Sequence, residues 1–204
     1  MSGPASGLAT HPASLEQRAL DAVMRCVARY GVSKTTLDDV AKEAGCARAT
    51  IYRYFPNKSQ LLQAAVRAEV AALATDLKVA AEGADSLEEA VVAIVTRGSR
   101  RIVEHDALQF VLRCEPEVLL PYLTFTAGDR FLGDAGVLVA RALVSHLTPE
   151  RAGRAGEWIA RVAFAYLTPT GSPVDMTDEQ QVRELVRTFV IPGLVAEPID
   201  PITR

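Results

Sequence analysis

Leu37-Asp-Asp-Val-Ala-Lys-Glu-Ala-Gly-Cys-Ala-Arg-Ala-Thr-Ile-Tyr-Arg-Tyr-Phe-Pro56 is the stretch on which the fold turns. It reads as two short helices, about Leu37 to Ala44 and about Ala47 to Phe55, joined by a tight turn. Thr36 is the expected N-cap of the first, with Asp39 three residues on as in a capping box. Gly45 stops that helix, because glycine alone takes a left-handed backbone without strain. Ala41 is small where the helices approach, and Val40, Ala44, Ile51 and Phe55 are apolar at the positions that bury. Pro56-Asn57 then breaks the chain. Such a pair packs nearly at right angles and presents its second helix outward, which is the helix-turn-helix arrangement.

The exposed face of the second helix is chemically particular. Arg48 and Arg53 carry planar donor forks that match guanine, and Ala49 is small enough to approach a thymine methyl. Tyr52 completes the set expected at base edges, while Thr36, Thr50, Tyr54 and Lys58 are expected at phosphate oxygens. Charge agrees with this placement. The chain carries a net −3, yet residues 1–60 hold eight basic and five acidic side chains, so the first part is +3 and the remainder −6. A basic head on an acidic body suggests that only the head meets a polyanion.

Outward from the head, the pattern stays helical. Residues 1–13 read as a flexible tail. Ser14 caps a first helix in which Leu15, Ala19, Val23, Val27 and Tyr30 recur at helical spacing and which Gly31 is expected to end. A long fourth helix, about Lys58 to Ala81, would span about 36 Å. Ser86, with Glu89 in capping-box position, opens a fifth toward Glu104. From Ala107 to Leu147 the chain is apolar and interrupted at Pro116, Pro121 and Gly128 to Gly136, leaving room for two or three helices. Thr148-Pro149-Glu150 starts another, and the last begins near Thr177 and ends before Pro192-Gly193. The expected fold is therefore all-α: a head over 14–56 and a helical body over 57–204, with about nine helices in total.

Other functions find little support. No apolar run approaches a membrane span, and the first residues do not form a signal peptide, which places the chain in the cytoplasm. Cys26, Cys46 and Cys114 form no CxxC pair and read as buried free thiols; His11, His105 and His146 are scattered. Neither a metal nor a cofactor is expected. An enzyme would need a GxSxG elbow, a ligand cluster or a spaced nucleophile–base pair, and Ser145-His146, adjacent on a helix, would point apart. A helical adaptor whose head binds a protein partner remains an alternative, although Arg48 and Arg53 beside Tyr52 and Tyr54 favour nucleic acid.

The stretch from Thr35 to Leu62, with Arg18-Ala-Leu-Asp-Ala-Val23 and Tyr30-Gly31 before it, resembles the N-terminal signature of the TetR family of transcriptional regulators. That resemblance covers about Leu15 to Leu62. It implies a homodimer, a C-terminal helical ligand-binding domain, and repression of a palindromic operator relieved by an effector. One position departs from the pattern: Asp38 stands where many members carry a basic or polar residue that touches DNA. In the body, Phe110, Cys114, Tyr122, Phe125 and Trp158 are candidates for an effector pocket, and the scarcity of charge there points to a small lipophilic effector. By the same resemblance the final two helices form the dimer contact, with Val162, Ala165, Val182, Leu185, Val186 and Phe189 on their apolar stripes.

Overall fold

The computed structural model describes residues 14–118, 125–167 and 174–195, and every regular element among them is helical. Helix α1 (Leu15–Lys34) starts where Ser14 accepts a hydrogen bond from the Gln17 amide. Its buried stripe comprises Ala19, Ala22, Val23, Cys26 and Val27. Gly31 ends the regular course of the helix, as expected. It leaves helical geometry (φ 82°, ψ 170°), and a short second helical segment follows across this kink to Lys34. Thr35 closes the segment by donating both its amide and its hydroxyl to the Gly31 carbonyl.

Helix α2 (Leu37–Glu43) has the expected capping box: Thr36 Oγ1 accepts from the Asp39 amide, and Asp39 accepts from the Thr36 amide. After Gly45 (φ 65°) the chain enters α3 (Arg48–Tyr54). Ile51 is the side chain of α3 that is buried, packing with Val40, Ala41 and Phe55 into the α1 stripe. One buried anchor on a seven-residue helix leaves the rest of its circumference facing outward.

Helix α4 (Lys58–Glu82) is capped by Asn57, which accepts from the Gln60 amide. Its Leu61 and Ala65 complete the head's core, whereas Leu77 and Ala81 belong to the body's. Helix α5 (Leu87–Val103) begins at Ser86 as expected. Helix α6 (Asp106–Cys114) packs on α1, and its Ala107 and Val111 sit in the head's core with Cys26 and Val27. Apolar packing therefore does not divide at residue 56.

Helix α7 (Phe125–Leu143) runs straight through the glycines expected to interrupt it. It crosses α8 (Pro149–Leu167) backbone to backbone: a Cβ on Gly136 would lie 2.7 Å from Glu157 Cα. These glycines permit close helix approach. Helix α9 (Glu179–Leu185) starts at Asp178 and continues through a π-helical turn (Val186–Val190) into α10 (Ile191–Val195). The helix does not stop at Pro192. Proline lacks an amide and crowds the carbonyl four residues back, and a locally widened turn accommodates both defects. The thiols also differ from expectation: Cys26 is buried, Cys46 half-buried, and Cys114, at the end of short α6, exposed.

Candidate nucleic-acid interface

The α2–α3 pair rests on α1 through Val40, Ala41 and Ile51, and its outer surface is the exposed set Arg48, Ala49, Tyr52, Arg53 and Tyr54, with Thr50 half-buried. The structure thus brings together the residues singled out from the recognition-helix pattern. It also shows how they are held. Arg48 Nε forms an ion pair with Asp38 Oδ1 at 2.8 Å, Arg48 Nη2 donates to the Tyr52 hydroxyl at 3.3 Å, and the guanidinium lies 5.2 Å from the Tyr52 ring centre. The Arg53 guanidinium lies 5.4 Å from the Tyr54 ring centre. Cationic groups stacked on aromatic faces keep a preferred direction while their outer edges remain open to solvent.

Two of the side chains expected at phosphates have work within the head. Thr36 gives its hydroxyl proton to Asp39 Oδ2 at 2.6 Å, and its two hydrogen bonds hold the Asp39 carboxyl below the usual carboxylate range. Lys58 Nζ donates to the Val32 and Ser33 carbonyls, at 2.9 and 3.2 Å, leaving its third proton for another acceptor. On the far side of α2, Glu43 bridges Arg25 and Arg29 of α1 at 2.6 and 3.0 Å. The hydrogen bonds from Arg25 and then Arg29 depress its pKa.

A residue that sequence reasoning did not single out ties this head to the body. Glu115 follows α6 and is only 9 % exposed. Its carboxylate accepts from the Val32 amide at 2.6 Å and the Ser33 amide at 3.1 Å, just past the Gly31 kink. Burial pushes its pKa up, but hydrogen bonds from Ser33 and Val32 and the nearby Lys58 charge outweigh that and hold it below its ordinary value. No local motif announces this contact, because its partners are backbone amides some eighty residues away.

The body residues expected to line a pocket differ in their exposure. Cys114 is exposed, Trp158 is 43 % exposed and Phe110 is half-buried; Tyr122 and the Phe125 side chain lie outside the described residues. Among the described residues the interior cavity is an apolar seam of about 10 Å³ between α5, α8 and α9, walled by Val91, Val95, Ile159, Met176, Leu185 and Val190 among others. A second, open cleft of about 340 Å³ lies between α1 and α4–α6 with charged walls, including Glu69, Arg101 and His105.

The expected dimer residues divide. Val182, Leu185 and Val186 are buried in the chain's own core and so do not reach an outer contact, whereas Val162 is only partly buried against it. A stripe on a helix buries equally well against its own chain, and here it does. Ala165 and Phe189 (69 % exposed) remain on the surface, as do Val137, Val144 and Trp158.

An exposed basic-aromatic helix seated on a tri-helical base, with an attached helical body, defines a helix-turn-helix transcriptional regulator. Residues 19–65 match the family of bacterial regulatory proteins described as the tetR family. An HTH-type transcriptional regulator of Mycobacterium tuberculosis is 26% identical over 181 residues, covering 86% of this chain and 83% of the relative. The regulator BetI of Brucella suis is 26% identical over 190 residues, 88% of this chain and 91% of that one. Among solved structures, the TetR family repressor AlkX from Dietzia, implicated in biodegradation of n-alkanes, superposes with a TM-score of 0.63 at 23% identity, covering 89% of this chain and 95% of its own. The fatty acid degradation regulator FadR of Bacillus halodurans gives 0.62 at 20%, covering 87% and 96%. Over residues 19–65 the chain is thus similar to the tetR family, and over most of its length it is similar to HTH-type transcriptional regulators.

Proposed function

We propose that this chain is a cytoplasmic, dimeric repressor that binds an inverted-repeat operator and releases it when a small lipophilic effector enters the body. The observation that carries the reading is the solvent-facing edge of α3, where Arg48, Tyr52, Arg53 and Tyr54 stand clear of a base anchored by Ile51. Arg48, Ala49, Tyr52 and Arg53 would meet base edges, and Thr50, Tyr54 and the spare proton of Lys58 would meet phosphates. Thr36 would contribute mainly through its cap. The exposed apolar residues Val137, Val144, Trp158, Ala165 and Phe189 supply a contact for a second copy, and a two-fold dimer places two α3 helices on successive major-groove faces.

For the effector, the seam between α5, α8 and α9 has apolar walls but little volume, so a ligand must part these helices. AlkX and FadR, whose names connect them with alkanes and fatty acids, support a lipophilic compound. Parting the body would shift α4, which spans both cores, and α6, which holds the head through Glu115. The head spacing then becomes unsuitable and operator affinity falls by population shift.

Selection of bound sequences from random duplex DNA at near-physiological salt tests the reading. An enriched inverted repeat, lost with Arg48→Ala, is the expected result. Failure to enrich any sequence in ligand-free protein would overturn it.

A further inference from the structure

Asp38 is the acid that a DNA-facing surface should avoid, since its carboxylate is half exposed beside the side chains that approach the phosphates. Its neighbour Asp39 is accounted for by the capping box. A cap needs one carboxylate, so Asp38 has no part in it, and it instead forms an ion pair with Arg48 across the turn.

The geometry of that pair decides what Arg48 can do. A guanidinium has a side-on edge, made by Nε and Nη2, and an end-on edge, made by Nη1 and Nη2; either can serve a bidentate acceptor. Here the Asp38 carboxylate lies 2.8 Å from Nε as an ion pair and the Tyr52 hydroxyl accepts from Nη2, so both groups stand at the side-on edge. The end-on edge, which carries one proton of Nη1 and one of Nη2, is the edge these two groups leave open. A guanine offers O6 and N7 to such a fork, whereas a phosphate accepts an arginine in almost any orientation.

We infer that Asp38 is a specificity-determining positioning residue: it fixes Arg48 to present its end-on edge to a guanine, and its charge weakens binding to DNA that offers no guanine there. The inference rests on α3 being the DNA reader. Asp38 raises the ratio between operator and unrelated DNA while lowering affinity for both through repulsion of phosphates. Its place in the first turn of α2 also suits the helix, so its presence does not disturb the fold.

The test compares wild type with Asp38→Ala and Asp38→Asn, on the operator selected by wild type, on that operator with the Arg48-read base pair replaced, and on unrelated duplex. Asp38→Ala should bind unrelated DNA about three- to tenfold tighter and lose about tenfold of its preference at the replaced position, at unchanged melting temperature. Asp38→Asn, whose amide oxygen can sit beside Nε without the charge, should regain part of the preference but not the repulsion. If Asp38→Ala tightens every duplex equally and keeps the selected sequence, Asp38 is a surface acid only. Wild type that selects no sequence removes the DNA-reading assignment itself, and this inference with it.

Discussion

Removing the Glu115 carboxylate should loosen the head from the body, and Gly31 supplies the means to show why. Each of its two hydrogen bonds, from Val32 and Ser33, is charge-assisted, and such bonds contribute about 1.5–3 kcal/mol each. Water reaches the site in part, so Glu115→Ala should destabilise by about 2–4 kcal/mol in total. Gly31→Ala should be worse. Its backbone sits in a region open almost solely to glycine, which alone is worth about 1–3 kcal/mol. The new Cβ would also lie 2.7 Å from Glu115 Cδ, Oε1 and Oε2, expelling the carboxylate from its seat. In a Glu115→Ala background that collision is absent, and Gly31→Ala should show only its backbone part. A double-mutant cycle by urea denaturation, followed by far-ultraviolet circular dichroism at one fixed protein concentration, should therefore return a coupling of about 2–4 kcal/mol. Additive effects would refute the idea that Gly31 is required by Glu115, leaving backbone geometry as its sole role.

Further outcomes follow from the same contacts. Asp39, Glu43 and Glu115 all have depressed pKa values, so their stabilisation is complete above the ordinary carboxylate range and is lost as pH falls through their lower folded values. Melting temperature should fall on acidification through that window, and Glu115→Gln should flatten the fall; an unaltered pH profile would contradict the assignment. Lys58→Ala should lower the unfolding midpoint by about 1–2 kcal/mol as well as weaken DNA binding, because Lys58 caps two carbonyls of α1. Loss of DNA affinity at unchanged stability would show that these bonds contribute nothing. Thr96 Oγ1 and Ser99 Oγ are buried without a hydrogen-bond partner. Thr96→Val and Ser99→Ala should each stabilise the ligand-free protein by about 1 kcal/mol, measured by denaturation; destabilisation would mean the hydroxyls are satisfied.

Local grammar accounts for what could be read in advance. Thr36 with Asp39, Gly45, and Ser86 with Glu89 each act within a few residues, and the helices they bound lie where the sequence places them. The recognition face was legible because one buried residue, Ile51, fixes which side of a short helix turns out. The body was less so, since an apolar stripe does not say which surface covers it: Val182, Leu185 and Val186 face inward, while Trp158 and Phe189 face out. Of the glycines that look like breaks, Gly31 does interrupt its helix, at a kink beside Glu115, whereas Gly136 lies within a continuous helix and lets two helices touch. The Glu115 and Asp38 contacts depend on geometry between elements, which periodicity does not encode.

The seating of α6 against α1 bears on how such regulators can be recombined. A chimera that grafts residues 14–56 onto a foreign body would leave behind Leu61, Ala65, Ala107 and Val111 from the head's core, and Glu115 from its hinge. The transplanted reader would arrive with an open flank and two orphaned amides. The exchangeable unit in this protein is a discontinuous one, the first three helices together with the start of α4 and all of α6. On the proposed reading of α3, operator preference is then redesigned more safely on its surface than by swapping heads.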